Sequence, residues 1–556
     1  MKRKFVVATL ICVILCMGGC GANQNSGSIS TESKQESQKE EIPESPEVPK
    51  EETKTDTQEQ TEASKVEQES VTTQEPVPPA GEQENPNAFL KVTFERTYDS
   101  AYDDSGDWVP LMYGYYDSIY LLSEEYPKLK KALEDYNTAN SGSSQAYLDE
   151  LEEWARGEYL EYGKESFLGP YINQQEMFLR RADCQVLSVV EQFYNYAGGA
   201  HGNSGFYSVN FDVQTGEEIP LEAVIKDKKQ LLKVLETEIS EKYPDLAHWT
   251  ESLAEALQFY DEPLDSELKA EFTWTLDYDG VTFYFSNYEI AAYVAGVQQV
   301  TLSYYEYPEL MESSYFTNSP KDYVIPLNDC GMTADVDLTG DGTTDYISVR
   351  RNYSDFADFS ESYNVTVNGN SFTQEVYCYD LETYLVKNDG KNYLYVQRTV
   401  ENDFQSVCVF EITENSVEYM GEFSGGLKFF INAKDFQVTS RFDMLSTYFA
   451  TADCFLGENG MPVEKGGAYQ IDFEQKITST VEITAELLDE SGNLTGDTYT
   501  FPVGTAFGFL ETDGAAYVDM QADDGKRCRF YTTPQWPQTI NGMEADSCFE
   551  MLWYAG

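Results

Sequence analysis

The chain has 556 residues, of which 97 are acidic and 37 basic, and its formal net charge is −60. A chain of this length is expected to fold as roughly two to four domains, because one domain usually spans about 100–200 residues. The excess of acids excludes a nucleic-acid-binding protein, since binding to phosphates needs a surplus of lysine and arginine. Only two histidines are present, which excludes His-rich metal sites and multi-histidine catalysis.

The N-terminus has the pattern of an export signal. Three basic residues at positions 2–4 precede an apolar stretch over residues 5–17, which is too short to span a membrane. The stretch ends in Met17-Gly18-Gly19-Cys20, which resembles the lipobox of bacterial lipoproteins; the alternative is an ordinary secretory signal. We predict a lipoprotein signal peptide at residues 1–19 and lipidation of Cys20. Acyl chains such as palmitate on Cys20 would anchor the protein to the outer side of the bacterial cell membrane.

Residues 20–88 form a low-complexity segment that is rich in Glu, Ser, Thr, Gln and Pro and contains no aromatic residue. Such a composition cannot bury enough apolar surface to offset the entropy that ordering would cost. We predict a disordered tether that holds the folded part of the protein away from the bilayer.

Residues 89–318 show an α+β pattern. Helical periodicity is present over residues 121–136 and 147–155, and again in a stripe that contains Leu231, Leu235 and Ile239. Strand-like runs occur at residues 186–190 and 207–213, and Asp279-Gly280 joins two further runs as a hairpin turn. We predict an antiparallel sheet with helices on one face, divided into a preceding α/β segment at residues 89–180 and a motif-bearing part at residues 181–318.

Three motifs follow one another in this region. They are Tyr194-x-Tyr196-x-Gly198-Gly199-Ala200-His201-Gly202, Asn210-Phe211-Asp212-x-x-Thr215-Gly216 and Phe283-x-Phe285-x-x-Tyr288-Glu289-Ile290-Ala291. This ordered series resembles the RsiV-like extracytoplasmic domain family, which also adjoins polysaccharide deacetylases of the PdaC type. The resemblance implies a cell-envelope binding or sensing module, because well-understood relatives are the outer halves of anti-sigma factors that sense lysozyme. Those relatives also have a membrane-spanning helix and a cytoplasmic segment. We predict neither of these segments in this chain.

The motifs supply the binding candidates, which are Tyr196, Gly198, Gly199, His201 and Tyr288. A catalytic interpretation makes His201 a general base that Glu289 or Asp212 orients. The structural interpretation is that the two glycines permit a positive-φ turn and that His201 holds this turn by local hydrogen bonds. Because the chain has neither a nucleophile elbow nor a second metal ligand at fixed spacing, we favour the structural interpretation and assign no catalytic residue.

The period of the hydrophobic pattern changes to two beyond residue 322. Short strand-like runs are separated by recurrent turns such as Asn368-Gly369 and Asp389-Gly390. We predict an all-β region made of small barrels or sandwiches, with one β unit at residues 322–440 and another at residues 441–556. The strand density of the last stretch is that of a small SH3-like barrel.

A calcium loop is predicted at the start of this region. The run Asp337-Leu338-Thr339-Gly340-Asp341-Gly342-Thr343-Thr344-Asp345 resembles the loop of FG-GAP-like and dockerin-type repeats. Its oxygen ligands would be Asp337, Thr339, Asp341, Thr343 through its carbonyl, and Asp345. Ser348 stands where an EF-hand has its bidentate glutamate, and the alternative is an Asp-Gly turn with solvated acids. We predict a Ca²⁺ site of low affinity and structural role.

These observations predict a cell-surface lipoprotein that acts as a binding or sensing module. Its negative field would attract a cationic secreted protein such as a lysozyme-like muramidase, and a wall component is the other candidate ligand. The predicted partners are thus the lipid bilayer, through Cys20, and either the cationic protein or the wall component. We predict no nucleic-acid partner. The alternative functions are a peptidoglycan- or glycan-modifying hydrolase that uses His201 with a carboxylate, and a structural spacer or adhesin.

Overall fold

The computed structural model describes residues 89–104, 108–244, 246, 253, 272–327, 332–353 and 359–554. The predicted signal peptide, Cys20 and the tether lie outside the described residues. Across these ranges, no helix combines the length and the apolar character that crossing a bilayer requires.

The first region is a five-stranded sheet with a long helix on one face. The elements are β1 (Val92–Tyr102), β2 (Pro110–Leu121), α1 (Pro127–Tyr162), β3 (Tyr171–Ala182), β4 (Val186–Tyr196) and β5 (Asn203–Asp212), and the strand order is β1-β2-β3-β4-β5. Every strand pair is antiparallel except β2 and β3, which are parallel. The sheet is therefore mixed, and the prediction of an antiparallel sheet was wrong in this detail. The parallel pairing results from helix α1, which returns the chain to the end of the sheet at which β2 begins, so that β3 runs in the same direction as β2.

Helix α1 unites the two segments of helical periodicity in one helix of 36 residues. The Ser-rich stretch between them stays helical because Ser141 and Ser143 donate to the carbonyls of Asn137 and Ala139, four residues earlier. Leu129, Leu133, Leu148 and Leu151 are buried against the sheet, and Gly114 of β2 provides the close approach. A Cβ atom on Gly114 would lie 2.5 Å from Leu148 Cδ2.

The other face of the first sheet is covered in part by a three-stranded sheet. The elements of this second region are α2 (Leu221–Val224), α3 (Lys228–Lys242), β6 (Thr273–Leu276), β7 (Gly280–Phe285) and β8 (Gln298–Ser303). The predicted helical stripe is buried in α3, and the predicted turn at Asp279-Gly280 joins β6 to β7. Side chains of β5 hold the backbone of β6, because Asn210 accepts from Leu276 N at 2.9 Å and donates to Trp274 O at 3.0 Å.

The third region is a sandwich of two sheets. Its strands are β9 (Tyr323–Pro326), β10 (Thr333–Val336), β11 (Asp345–Tyr353), β12 (Ser360–Val367), β13 (Asn370–Cys378), β14 (Asp380–Asn388), β15 (Lys391–Thr399), β16 (Gln405–Thr413) and β17 (Ser416–Ser424). One sheet has the order β10-β11-β12-β13 and the other the order β17-β16-β15-β14-β9. Strand β15 is buried on both faces, because Leu394 and Val396 belong to the core of the sandwich while Tyr393 and Tyr395 pack against the next region.

The last region is an open sheet of eleven strands with a short two-stranded ladder and a helical turn. Its elements are β18 (Gly426–Lys428), β19 (Phe436–Asp443), β20 (Thr447–Leu456), β21 (Pro462–Glu464), β22 (Tyr469–Asp472), β23 (Lys476–Thr478), β24 (Ile483–Leu488), β25 (Leu494–Phe501), β26 (Ala506–Thr512), β27 (Tyr517–Ala522), β28 (Arg527–Tyr531), β29 (Thr539–Ile540), β30 (Met543–Glu544) and α4 (Ala545–Cys548). The main path runs β18-β19-β20-β22-β26-β27-β28-β24-β25.

An α+β region followed by a mainly β region is thus confirmed, but the predicted barrels are not. The end strands β18 and β25 do not pair with each other, so the strands in the described part of the chain form no closed barrel. The turns in the sequence predict where strands end. Whether a sheet closes into a barrel depends instead on whether its two edge strands, which are distant in sequence, pair with each other. The division predicted near residue 440 stays a prediction; residue 440 lies within β19.

Candidate functional site

Five tyrosines share the face of the first sheet that is opposite α1. In the register of the strands, Tyr98 pairs with Tyr115, Tyr115 with Gln174, and Gln174 with Tyr194. Residues that pair directly across a sheet point to the same face. The neighbouring row contains Tyr113 and Tyr196, which both pair with Ile172. We call Tyr98, Tyr113, Tyr115, Tyr194 and Tyr196 the tyrosine face.

The rings of the tyrosine face are accessible to solvent. The exposed fraction is 73% for Tyr98 and 39% for Tyr113, and Tyr115, Tyr194 and Tyr196 are half-buried. The ring centroids of Tyr98 and Tyr115 are 5.8 Å apart. Exposed aromatic side chains that line up on a sheet are more typical of binding surfaces than of surfaces that pack in the core.

A guanidinium group is fixed at one end of the tyrosine face. Arg96 donates from Nε and Nη2 to the two carboxylate oxygens of Asp117 at 2.7 and 2.9 Å, and from Nη2 to Glu176 Oε1 at 2.8 Å. Its Cζ atom lies 4.2 Å from the centre of the Tyr115 ring. Burial and the negative charge of Glu176 raise the pKa of Tyr115 to about 12, so its hydroxyl stays protonated at neutral pH.

A stack of three rings lies at the other end of the face. The rings of His201 and Tyr293 are nearly parallel, with centroids 3.7 Å apart, and Tyr288 lies beside them. His201 Nδ1 is 2.9 Å from the carbonyl of Gly202, which can only accept, so Nδ1 carries the proton. The other ring nitrogen, Nε2, lies 3.2 Å from the Tyr288 hydroxyl.

The stack is continuous with the tyrosine face. The residue after His201 lies directly against the Tyr194 ring, since a Cβ atom on Gly202 would be 2.5 Å from it. Tyr196 holds the intervening loop, since its hydroxyl lies 3.2 Å from the carbonyl of Gly199.

The backbone around the stack has the conformation that the glycine motif predicts. Gly198 has a φ of 83° and Gly199 a φ of 101°, both in the left-handed region that favours glycine. Tyr288 also has a positive φ, 68°, which costs a non-glycine residue about 1 kcal/mol or more. Gln298 stabilises the turn that carries Tyr293, because its Nε2 donates to the carbonyls of Ala295 and Gly296.

The two carboxylates proposed to orient His201 have other roles. Glu289 accepts from the backbone N–H of Ser286 at 2.7 Å, and burial raises its pKa to about 7. Asp212 accepts from Thr215 N at 2.8 Å and closes the turn after β5. Within the described residues, the hydrogen bonds of the His201 ring go to Tyr288 and Gly202 and not to a carboxylate. In the described part of the chain, neither Glu289 nor Asp212 therefore orients the His201 ring.

The predicted calcium loop directs its carboxylates at its own backbone. Asp337 accepts from Gly340 N at 2.6 Å and from Gly342 N at 2.8 Å, and Asp345 accepts from Leu338 N at 2.9 Å. Asp341 accepts from the backbone and hydroxyl of Thr343, and Thr339 accepts from Asp341 N. Nowhere in the described ranges do three His, Cys, Asp or Glu side chains converge as a metal site requires. Calcium binding stays a prediction.

The sequence motifs therefore located only one end of the site. Tyr196, Gly198, Gly199, His201 and Tyr288 lie together at the stack. Arg96, Tyr98, Tyr113 and Tyr115 were missed, because they lie on β1 and β2 and reach the stack only through strand pairing. The i, i+2 spacing of Tyr113 and Tyr115 on a strand-like run was the available signal, since such residues share one face of a strand.

Comparison with known families places a domain in this region. A family model described as a protein of unknown function, DUF3298, matches residues 222–305. The chain contains a DUF3298 domain. The domain comprises α3 and β6–β8 and carries Tyr288 and Tyr293, whereas the tyrosine face precedes it.

Two solved structures are similar to part of the chain. A DUF3298 family member from Bacteroides fragilis is 19% identical, covers 41% of this chain and 95% of its own, and has a TM-score of 0.32. A DUF3298 family protein from Pseudomonas aeruginosa is 14% identical, covers 41% of this chain and 98% of its own, and has a TM-score of 0.28. No curated protein matches the chain.

Proposed function

We propose that the protein is an envelope-anchored binding module whose tyrosine face binds a cationic secreted protein, such as a lysozyme-like muramidase. The single observation that carries the proposal is the exposed row of tyrosines, which ends in the ring stack of His201, Tyr288 and Tyr293. Tyrosine and arginine are enriched among the residues that dominate the binding energy of protein interfaces. Tyrosine also provides a large contact area at a small cost in conformational entropy.

The charge of the protein supports a cationic partner. The net charge of −60 creates a long-range negative field that accelerates association with basic proteins and repels anionic polymers. At the site itself, Asp117 and Glu176 face the single guanidinium of Arg96, so this cluster is negative. The resemblance to the RsiV-like family points to the same class of partner.

The lipid anchor is part of the proposal and has its own test. Mass spectrometry of the protein from a bacterial membrane should find the mature N-terminus at Cys20 with acyl chains attached. An unprocessed N-terminus in the soluble fraction would contradict the anchor but leave the binding proposal unaffected.

Binding is tested by calorimetry of the full-length protein with hen lysozyme as the basic muramidase. We expect binding at about 50 mM salt and weaker binding at about 300 mM salt, because salt screens the steering field. The double variant Tyr98→Ala/Tyr113→Ala should lower the affinity about tenfold or more, a loss of about 1.4 kcal/mol.

Tyr120→Ala is the matched control for this experiment. Tyr120 lies on the same strand and is 38% exposed, but it is out of phase with Tyr113 and Tyr115 and outside the tyrosine face. Its affinity should equal that of the unmodified protein. If lysozyme does not bind at low salt, this partner is wrong, and titration with soluble peptidoglycan fragments then tests the wall component. Steady release of new fragments by the purified protein would support the hydrolase instead.

A further inference from the structure

A second group of exposed rings lies on the sandwich, outside the region of the first sheet. Tyr353 at the end of β11 is 63% exposed, and Tyr379, between β13 and β14, is 44% exposed. Tyr377 lies beside Tyr379, with ring centroids 5.3 Å apart. We call Tyr353, Tyr377, Tyr379 and the adjacent Arg351 and Glu401 the sandwich patch.

The rings of the sandwich patch alternate with fixed polar groups. Glu401 Oε1 accepts from the hydroxyl of Tyr377 at 3.0 Å and from that of Tyr379 at 3.3 Å. Arg351 donates from Nε to Ser360 Oγ at 2.9 Å and from Nη2 to the carbonyl of Tyr379. Its guanidinium carbon lies 4.8 Å from the centre of the Tyr353 ring. The Glu401 carboxylate is therefore exposed beside Tyr377 and Tyr379, whereas the Arg351 side chain is only 13% exposed and also pairs with the exposed carboxylate of Asp380 at 3.5 Å.

The strand segment that carries the rings is rigid. Arg398 donates to the carbonyl of Tyr377 at 3.1 Å and is itself held by Ser406 at 2.7 Å and Glu422 at 2.8 Å. Arg351 holds the carbonyl of Tyr379 in the same way. Two guanidinium groups therefore fix the backbone on both sides of Cys378. Because this surface is already ordered, binding a ligand would cost little conformational entropy.

We propose that the sandwich patch binds a polysaccharide chain. A pyranose ring has an apolar face of C–H groups and an edge of hydroxyls, so it needs a stacking surface and hydrogen-bonding groups beside it. Tyr353 and Tyr379 offer the stacking surfaces. The exposed carboxylates of Glu401 and Asp380, which Tyr377 and Arg351 hold in place, accept from sugar hydroxyls.

The size and charge of the patch favour a polysaccharide over a protein or a nucleic acid. A stable protein interface takes about 800 Å² from each partner, more than three partly exposed tyrosines offer. Nucleic acid is excluded by the net charge of −60. The inference does not depend on the tyrosine face, because the two surfaces share no residue.

The experiment measures retention of the full-length protein, in detergent, on three insoluble polymers: cellulose, chitin and purified peptidoglycan. We expect retention on at least one polymer, and the polymer that retains the protein identifies the sugar. Tyr353→Ala and Tyr379→Ala should each weaken the apparent affinity about two- to tenfold, and the double variant about tenfold or more. Both side chains are exposed, so the thermal midpoint of each variant should stay unchanged.

Tyr531→Ala is the matched control. Tyr531 is 51% exposed on β28, and its hydroxyl donates to Glu486 at 2.6 Å, so it is an exposed tyrosine paired with a carboxylate on another region. Its retention should equal that of the unmodified protein. The inference is overturned if none of the polymers retains the unmodified protein, or if the double variant is retained equally well. Tyr98→Ala/Tyr113→Ala should retain polysaccharide binding, which separates this result from a failure of the proposed function.

Discussion

One face of the first sheet has a covered half and an open half. The half formed by β5 and the first residues of β4 is covered by β6, and its polar side chains Ser188 and Asn210 are buried and bonded to the β6 backbone. The half formed by β1 and β2 stays open and displays Tyr98 and Tyr113. The comparison teaches that the same sheet surface becomes core or exposed surface according to what the rest of the chain places on it.

Arginine–aspartate pairs make the contrast quantitative. Next to the covered half, at the end of β3, Arg181 is fully buried and donates to Asp183 Oδ2 at 2.7 Å and to the carbonyl of Asp277 at 3.2 Å. In the open half, the Arg96 side chain is 28% exposed while it holds Asp117. The bond from Arg181 to Asp277 joins two sheets, and the Arg181–Asp183 pair has no access to water. In the second pair Asp117 is 3% exposed, so only the guanidinium of Arg96 reaches water.

The largest effect is expected from Arg181→Met. The substitution leaves the buried carboxylate of Asp183 without its cation, so the free energy of unfolding should fall by about 3–5 kcal/mol. Urea denaturation followed by circular dichroism measures this loss. Arg156→Met is the control and should cost about 1 kcal/mol or less, because the side chains of Arg156 and its partner Glu152 are 35% and 36% exposed and water can replace the lost partner. Equal losses for the two variants would mean that burial does not determine the cost of losing an ion pair.

A smaller effect of opposite sign is expected from Glu191→Gln, on the face of the sheet that α1 covers. Asn140 of α1 donates to Glu191 at 2.9 Å, and burial raises the pKa of Glu191 from its ordinary 4.5 to about 7. The folded state therefore binds the proton more tightly than the unfolded state. The contribution of Glu191 to the free energy of unfolding is therefore largest below about pH 4.5, and it is lost as the pH rises through about 7.

Glu191→Gln should consequently stabilise the protein by about 2 kcal/mol at pH 8 and reduce the fall in stability between pH 5 and 8. Thermal unfolding at a series of pH values measures both. Glu95→Gln, which replaces an exposed carboxylate on β1, is the control and should leave the pH profile unchanged. A Glu191→Gln profile parallel to that of the unmodified protein would contradict the buried-carboxylate explanation.

The calcium loop tests whether carboxylates already bonded to backbone N–H groups still bind a cation. If the loop has the affinity of extracellular calcium modules, about 2 mM Ca²⁺ should stabilise the protein by about 1 kcal/mol. The measurement is the thermal midpoint with calcium against that with a chelator, and Mg²⁺ at the same concentration is the control. Identical midpoints in all three conditions would leave the loop as an Asp-Gly turn.

The smallest effect on stability is expected in the open half. Tyr98→Ala should change the free energy of unfolding by less than about 0.5 kcal/mol, because a side chain that is 73% exposed loses little burial. The same denaturation assay measures it, with Phe206→Ala in the covered half as the contrasting variant. Phe206 is 2% exposed, and its loss should cost about 3–5 kcal/mol.

Local patterns of the sequence predicted the parts of the fold that depend on near neighbours. The stripe of Leu231, Leu235 and Ile239 is the buried side of α3, and Asn368-Gly369 and Asp389-Gly390 are the turns of two hairpins. Positive φ at these four turn residues explains why this pattern is reliable. The parallel pairing of β2 with β3 and the open end of the last sheet were not predictable in this way, because both depend on pairing between distant strands.

The sequence by itself determined the acidic charge, the α+β-then-β order of the chain and the glycine turn beside His201. All three follow from residue type or from spacing within a few positions. Only the tertiary structure decided that Tyr98, Tyr115 and Tyr194 form one surface and that β6 covers the neighbouring half of the sheet. The reason is physical: pairing across strands and burial under a second sheet join residues that are nearly a hundred positions apart, and no local pattern records such contacts.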